Sequence, residues 1–191
     1  MNNKLEGKKV AILAADGFEQ SELFDPKKAL EDAGATTQII SLEKGEIKAW
    51  DKDDWGKTIA VDLTVDDANA EDFNALVLPG GVMNPDKLRT EEKVLKFVRA
   101  FFEQKKPVAA ICHAPWTLIN AGVVENREMT SYHTIRKDLE NAGAKWTDSE
   151  VVVDNGLVTS RNPDDLPAFC DKVIEEIREG KHDKQGLSAQ A

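Results

Sequence analysis

The sequence predicts an α/β domain with a mostly parallel central sheet and helices on both faces. Two observations carry that expectation. Residues 10–15, behind Lys8 and Lys9, and residues 75–78 and 108–111 are short, uninterrupted apolar runs, the composition of strands buried on both sides rather than on one. Each run gives way to turn-forming residues and then to apolar positions at helical spacing, the alternation that builds parallel β-α-β units. With 191 residues and no linker or internal repeat, the chain reads as a single domain, 1–191, whose polar ends at 1–7 and 180–191 are expected to fray.

In chain order, the first strand at 9–15 is broken by Asp16-Gly17. A helix follows through Leu23, Ala29, Leu30 and Ala33, with Pro26 near its first turns and Gly34 as its stop. Glu19 is therefore expected at the carboxyl end of strand one, the edge where open parallel sheets bind ligands. Residues 37–42 give a second strand. Residues 47–50 and 58–63 read as a short antiparallel excursion around a charged loop, 51–56, and the tryptophans Trp50 and Trp55 suit a cap over a pocket or a subunit contact. A short acidic helix or turn at 66–73 leads to the strand 75–78, which ends in Pro79-Gly80-Gly81. Glycines there let the backbone pass close to a ligand and offer N–H groups to an oxyanion. Past Asn84-Pro85-Asp86, Thr90 is placed to cap a helix that starts at Glu91 and buries Val94, Leu95, Val98, Phe101 and Phe102.

The strand 108–111 runs into Cys112-His113-Ala114-Pro115. Pro115 suits the first turn of a helix through Trp116, Leu118 and Ile119, stopped by Gly122, so Cys112 falls in the joint between strand and helix. A thiol in that joint faces a helix start and unpaired N–H groups, both of which favour thiolate. Cysteine at the end of an apolar strand is also ordinary core filler, so chemistry at Cys112 requires partners. Residues 129–133 then lead into a helix carrying Ile135, Leu139 and Ala142. Asn155-Gly156 joins a hairpin, and Pro163 opens a last helix with Leu166, Phe169, Cys170, Val173 and Ile177 on its apolar stripe.

Composition excludes several classes. A formal charge of −10, with acids spread along the chain, disfavours nucleic acid and membrane surfaces as partners. No run approaches membrane-spanning length and the first residues lack the apolar core of a signal peptide, so a cytoplasmic protein is expected. Cys112 and Cys170 are far apart, and no structural disulfide is expected in a reducing compartment. The three histidines, His113, His133 and His182, lack ligand spacing with a second donor, and no nucleotide fingerprint follows Gly80-Gly81. No metal and no cofactor are therefore expected.

Glu19, Gly80-Gly81 and Cys112-His113 thus fall at the carboxyl ends of successive parallel strands, where an acid, an oxyanion cradle and a nucleophile need to converge. With Gly17-Phe18-Glu19, Leu76-Val77-Leu78-Pro79-Gly80-Gly81, residues 110–115, and Thr159-Ser160-Arg161-Asn162-Pro163, the chain resembles the superfamily of PfpI-type intracellular proteases, ThiJ-like proteins and the parkinsonism-associated deglycase. The PfpI branch is the better match. The resemblance implies a class I glutamine amidotransferase-like domain, a flavodoxin-like three-layer sandwich with a nucleophile elbow. By that resemblance Cys112 is the nucleophile and Glu19 the acid that contacts its sulfur. His113 is the neighbouring histidine, and Asp86 stands where a glutamate from a neighbouring subunit orients that histidine. Gly81, beside Gly80, supplies the oxyanion N–H together with His113. Ala114 replaces a common glycine and is expected to crowd the site slightly, and Trp116 replaces a polar residue and is expected to line its mouth.

The implied function is a stress-related cysteine hydrolase or lyase acting on reactive-carbonyl adducts, in the manner of deglycases or glyoxalases. The alternatives are a PfpI-type peptidase and a non-enzymatic redox sensor or holdase using oxidisable Cys112. Expected partners are a small carbonyl or peptide substrate and, if Asp86 acts across an interface, a second copy of the chain in a homodimer or higher homo-oligomer.

Overall fold

The computed structural model describes residues 4–186. Its strands are β1 (Lys9–Leu13), β2 (Phe18–Glu19), β3 (Thr36–Ser41), β4 (Glu46–Asp51), β5 (Asp54–Ala60), β6 (Leu63–Thr64), β7 (Ala75–Leu78), β8 (Val108–Ile111), β9 (Glu128–Met129), β10 (Lys145–Trp146), β11 (Val152–Asp154) and β12 (Leu157–Ser160). The helices are α1 (Gln20–Asp32), α2 (Met83–Leu88), α3 (Glu92–Glu103), α4 (Pro115–Ala121), α5 (Arg136–Asn141) and α6 (Leu166–Glu179). The main sheet has the order β11-β12-β8-β7-β1-β3-β6, parallel throughout except for the β11–β12 hairpin. Its central part, β3-β1-β7-β8-β12, follows the 2-1-3-4-5 order of flavodoxin-like sheets.

The uninterrupted apolar runs are explained by two cores, one on each face of this sheet. Side chains alternate across a strand. Ala11, Leu13, Leu76, Leu78, Val108 and Ala110 therefore join the phenylalanines of α3 and Leu118 of α4 in one cluster. Val10, Ile12, Ala75, Val77, Ala109 and Ile111 join Leu23 and Leu30 of α1 and Phe169, Val173 and Ile177 of α6 in the other. Cys112 continues this second set, on the α1 side of the sheet.

Three local expectations are corrected. The charged stretch 51–56 is mostly strand: β4 and β5 pair antiparallel and turn at Lys52, which takes a positive φ, so Trp50 and Trp55 become cross-strand partners 5.6 Å apart. Residues 83–88 form the helix α2, because Pro85 lies in its first turn, where a missing N–H costs nothing. The Thr90 hydroxyl then donates back to the Lys87 carbonyl instead of capping α3, whose N-cap is Glu91. Finally, the described parts of the ends are packed. Leu5 is fully buried and donates its N–H to Ala33 O at 2.9 Å, while His182 N–H reaches Lys105 O at 2.9 Å and Gln185 is enclosed. Residues 1–3 and 187–191 lie outside the described residues. Among the described residues no helix is long and apolar enough to cross a membrane.

Candidate active site

The chain bends sharply where β8 ends. Cys112 has φ +63°, a left-handed conformation that costs a non-glycine residue on the order of 1–3 kcal/mol. Both of its backbone groups are held: its N–H donates to Ser160 O at 3.1 Å and its carbonyl accepts from Tyr132 N–H at 2.9 Å. Pro115 begins α4 directly afterwards. This is the expected elbow, and it presents the sulfur to a cavity of about 540 Å³ that also borders Glu19, Glu22, Gly81 and His113.

The acid against the sulfur is Glu22, where the sequence pointed to Glu19. Glu19 precedes α1 in extended backbone, lines the cavity and is half-buried. Its own N–H donates to Gly80 O at 3.3 Å. Glu22 lies one turn into α1, on the face that points to the sheet, and is fully buried. Its Oε2 accepts the Gly80 N–H at 2.9 Å, while Oε1 is enclosed with no nitrogen or oxygen to pair with. Burial, then the negative charge of Glu19, push the Glu22 carboxyl up to about 8, so it is protonated at neutral pH. Cys112 lies beside this carboxyl, so a protonated Glu22 has an O–H available to a charged sulfur. A sequence signal existed: Glu22, Pro26 and Leu30 are spaced by four and share the buried stripe of α1. An acid on such a stripe is a core acid.

Cys112 itself is only 7 % exposed. Burial and the adjacent Glu22 raise its thiol above the ordinary value, while the backbone N–H groups of Gly81 and His113 lower it. The sulfur is thus buried, with an imidazole nitrogen beside it. His113 Nδ1 lies 3.1 Å from Sγ, and burial, with the nearby charge of His133, holds the imidazole below its usual value and therefore neutral. The His113 ring is clamped between Tyr132, stacked at 4.8 Å, and Trp116, edge-on at 5.1 Å, and its Nε2 meets Thr134 Oγ1 at 3.2 Å.

The two glycines are required by contact. A Cβ on Gly80 would meet Glu22 Oε2 at 2.5 Å, Ile111 O at 2.6 Å and Cys112 Cβ at 2.7 Å. One on Gly81, at φ +76°, would meet Gly17 O at 2.5 Å. The N–H groups of Gly81 and His113 face the sulfur, while the Gly80 N–H is held by Glu22.

Asp86 is not brought into the cavity of this protomer. It is exposed on α2, and its Oδ1 accepts from Arg89 Nη2 at 2.6 Å and Nε at 3.0 Å. Arg89 lies over Trp116 at 4.6 Å, and Trp116 Nε1 donates to Asp138 at 2.8 Å, so Trp116 buttresses His113 and does not line the mouth. Ala114 packs into the core on the opposite face of the sheet and crowds nothing at the sulfur. The mouth is lined by Trp50, Val82, Met83 and Tyr132 together with Lys52. Tyr132 and Thr134 were not anticipated: Tyr132 caps, and Thr134 lies within, a single 3-10 turn, His133–Ile135, just before α5. Outside the cavity, Glu176, Glu179 and His182 bring ligand-type atoms within 4.8 Å of one another, against the expectation that His182 has no donor nearby. His182 Nε2 lies 3.2 Å from Glu176 there. The cysteines 112 and 170 are free, as expected.

The profile of the DJ-1/PfpI family matches residues 8–176. The chain belongs to the DJ-1/PfpI family. Among its relatives, General stress protein 18 of Bacillus subtilis is 47% identical over 165 residues, covering 85% of this chain and 94% of the relative. Deglycase PfpI of Pyrococcus furiosus is 44% identical over 170 residues, covering 89% of this chain and 99% of the relative. Among solved structures, the two-domain protein of Anabaena variabilis with DJ-1/ThiJ/PfpI-like and ferritin-like domains superposes with a TM-score of 0.85 at 36% identity, over 89% of this chain and 48% of that one. Drosophila melanogaster DJ-1beta gives a TM-score of 0.79 at 28% identity, over 90% of this chain and 94% of that one. The flavodoxin-like arrangement with a mostly parallel sheet is therefore the family's fold, and the family includes enzymes by name.

Proposed function

We propose that the protein is a cysteine-dependent hydrolase or lyase of reactive-carbonyl adducts, of deglycase type, with Cys112 as nucleophile. The observation that carries this reading is the placement of the Cys112 sulfur at the floor of the cavity, 3.1 Å from a neutral imidazole nitrogen and facing two backbone N–H groups. Deglycase PfpI, at 44% identity, supports the choice of substrate class. In the first step Sγ adds to a carbonyl carbon while its proton passes to His113 Nδ1. The carbonyl π electrons move to oxygen, and the N–H groups of Gly81 and His113 receive the oxyanion. Where the attacked carbon carries the amine, collapse of that adduct expels the amine, which takes the proton back from His113 and leaves a thioester on Sγ. Water then adds to that carbonyl, giving its proton to His113, and Sγ leaves and recovers the proton, releasing a carboxylic acid. The O–H of Glu22 stabilises negative charge on sulfur before attack and upon its return as leaving group. The mouth, lined by Trp50, Val82, Met83 and Tyr132, suits a short apolar carbonyl fragment carried on an exposed amine.

The test is release of free amine from methylglyoxal-treated N-acetyl-lysine, with a fluorogenic peptide in parallel. Wild type is expected to release amine, and Cys112→Ser to be slower by about 10³-fold or more. Equal rates for the two proteins overturn the nucleophile assignment, and cleavage of the peptide alone assigns the site to peptidase chemistry.

A further inference from the structure

We propose that Thr134 is a positioning residue for His113, selecting the imidazole tautomer and ring orientation that can take the proton from Cys112. The inference rests on the reading of Cys112 as nucleophile and adds the residue that makes its base competent. The stacking partners of His113 fix the plane of the ring but not its direction. Tyr132 and Trp116 would hold the imidazole equally well if it were turned by half a revolution, which would exchange ring nitrogens for carbons. What distinguishes the two orientations is polar contact at opposite ends of the ring: Nδ1 to Cys112 Sγ at 3.1 Å, and Nε2 to Thr134 Oγ1 at 3.2 Å. Turning the ring sacrifices both.

The same hydroxyl decides where the proton sits. A base must present a lone pair to S–H, which requires Nδ1 bare and the hydrogen on Nε2. Thr134 Oγ1 accepts that hydrogen, and it remains an acceptor after Nδ1 has been protonated, so the contact holds through proton transfer. A hydroxyl also differs from a carboxylate in this position. It carries no charge, so it orients the imidazole without stabilising imidazolium. The other titratable groups near the ring are His133, tilted against Tyr132, together with Cys112, Glu22, Glu19 and Lys52 around the cavity, while Asp138 reaches it only through Trp116. None supplies a carboxylate to Nε2 within this chain.

Two measurements on the full-length protein test the assignment. The first is nitrogen-15 NMR of the imidazoles, which reads the tautomer directly and needs no substrate. His113 is expected in the Nε2–H form in wild type and in Thr134→Ser, and as a mixture of tautomers in Thr134→Val. An unchanged Nε2–H signal in Thr134→Val overturns the proposal whether or not the protein releases amine. The second is kinetic. Thr134→Val is expected to lower kcat about tenfold at nearly constant KM, the size of one lost hydrogen bond in the transition state, with Thr134→Ser restoring it. In Thr134→Asp the acidic limb of the kcat/KM profile is expected at higher pH, because a carboxylate at Nε2 raises the imidazole. A Thr134→Val protein within twofold of wild type, while Cys112→Ser is inactive, refutes the positioning role and leaves the nucleophile standing. Inactivity of wild type refutes the nucleophile reading and leaves the tautomer result to decide on Thr134.

Discussion

At the scale of single residues the site is governed by one buried carboxyl. Glu22 is pushed up to about 8, far above its ordinary 4.5, by burial and then by the negative charge of Glu19. The folded protein therefore keeps a proton that the unfolded chain has already released. The sign follows: this contribution to stability is complete below pH 4.5 and is lost as the pH climbs to about 8, by up to about 1.4 kcal/mol per pH unit. Glu22→Gln removes the titration, so the stability of that variant relative to wild type should rise between pH 5 and pH 8 in urea denaturation. A difference that stays flat over that range would show that the carboxyl does not titrate there. The same ionisation places a negative charge beside the sulfur and turns an O–H donor into an acceptor. Wild-type kcat/KM should accordingly fall above pH 8, and Glu22→Gln should lack that alkaline limb. Glu19 was the legible acid because sequence puts it at a strand's carboxyl end. Glu22 was missed because one turn of helix, not proximity to the strand, aims a side chain at the sulfur.

At the scale of elements, the cysteine elbow could be read before any coordinates. An apolar run followed by Cys, His, a small residue and Pro leaves little choice but a strand, a bend and a helix start, and Cys112 adopts the positive φ such a bend needs. The facing loop after β7 was legible as two glycines, and the resemblance pointed to the Gly81 N–H; what was not legible is that the distant Glu22 holds the Gly80 N–H. Gly81→Ala should be diagnostic. The added methyl would lie 2.5 Å from Gly17 O at φ +76°, so the loop must shift, costing on the order of 1–3 kcal/mol by thermal or chemical denaturation. Misplacing that N–H should lower kcat by about 10²-fold while the fold persists, the size reported for loss of one oxyanion donor. Retention of full activity would remove Gly81 N–H from the oxyanion site. The helix α2 and the segment carrying Tyr132 and Thr134 were not legible. The former is only six residues long and contains a proline, and the latter is a single 3-10 turn, too short to show a period, whose Tyr132 and Thr134 side chains contact His113.

At the scale of the whole molecule, the central sheet gathers residues from four distant stretches, 19–22, 80–81, 112–113 and 132–134, around one cavity. The chain after α6 returns to the other side. His182 bonds to Lys105, just before β8, and Gln185 and His182 pack over Gly156, just before β12, at the amino ends of strands whose carboxyl ends face the site. Deleting residues 181–191 should therefore lower Tm, by about 2–4 °C for each kcal/mol of lost packing, and leave kcat within twofold of the full chain. A large loss of kcat at unchanged Tm would contradict that separation. The mostly parallel sheet, the helices on its two faces and the cavity edge were legible because buried strands and amphipathic helices write their periods directly into sequence. The docked tail was not, because its polar composition resembles that of a solvated end.

Residue 112 occupies a backbone conformation that glycine tolerates freely and cysteine does not. Random change at this one codon therefore has a downhill direction, toward a chain that folds at least as well and reacts with nothing. A lineage that keeps the thiol must be under continuing selection for its chemistry, and one in which that selection lapses would keep the architecture and lose the sulfur first.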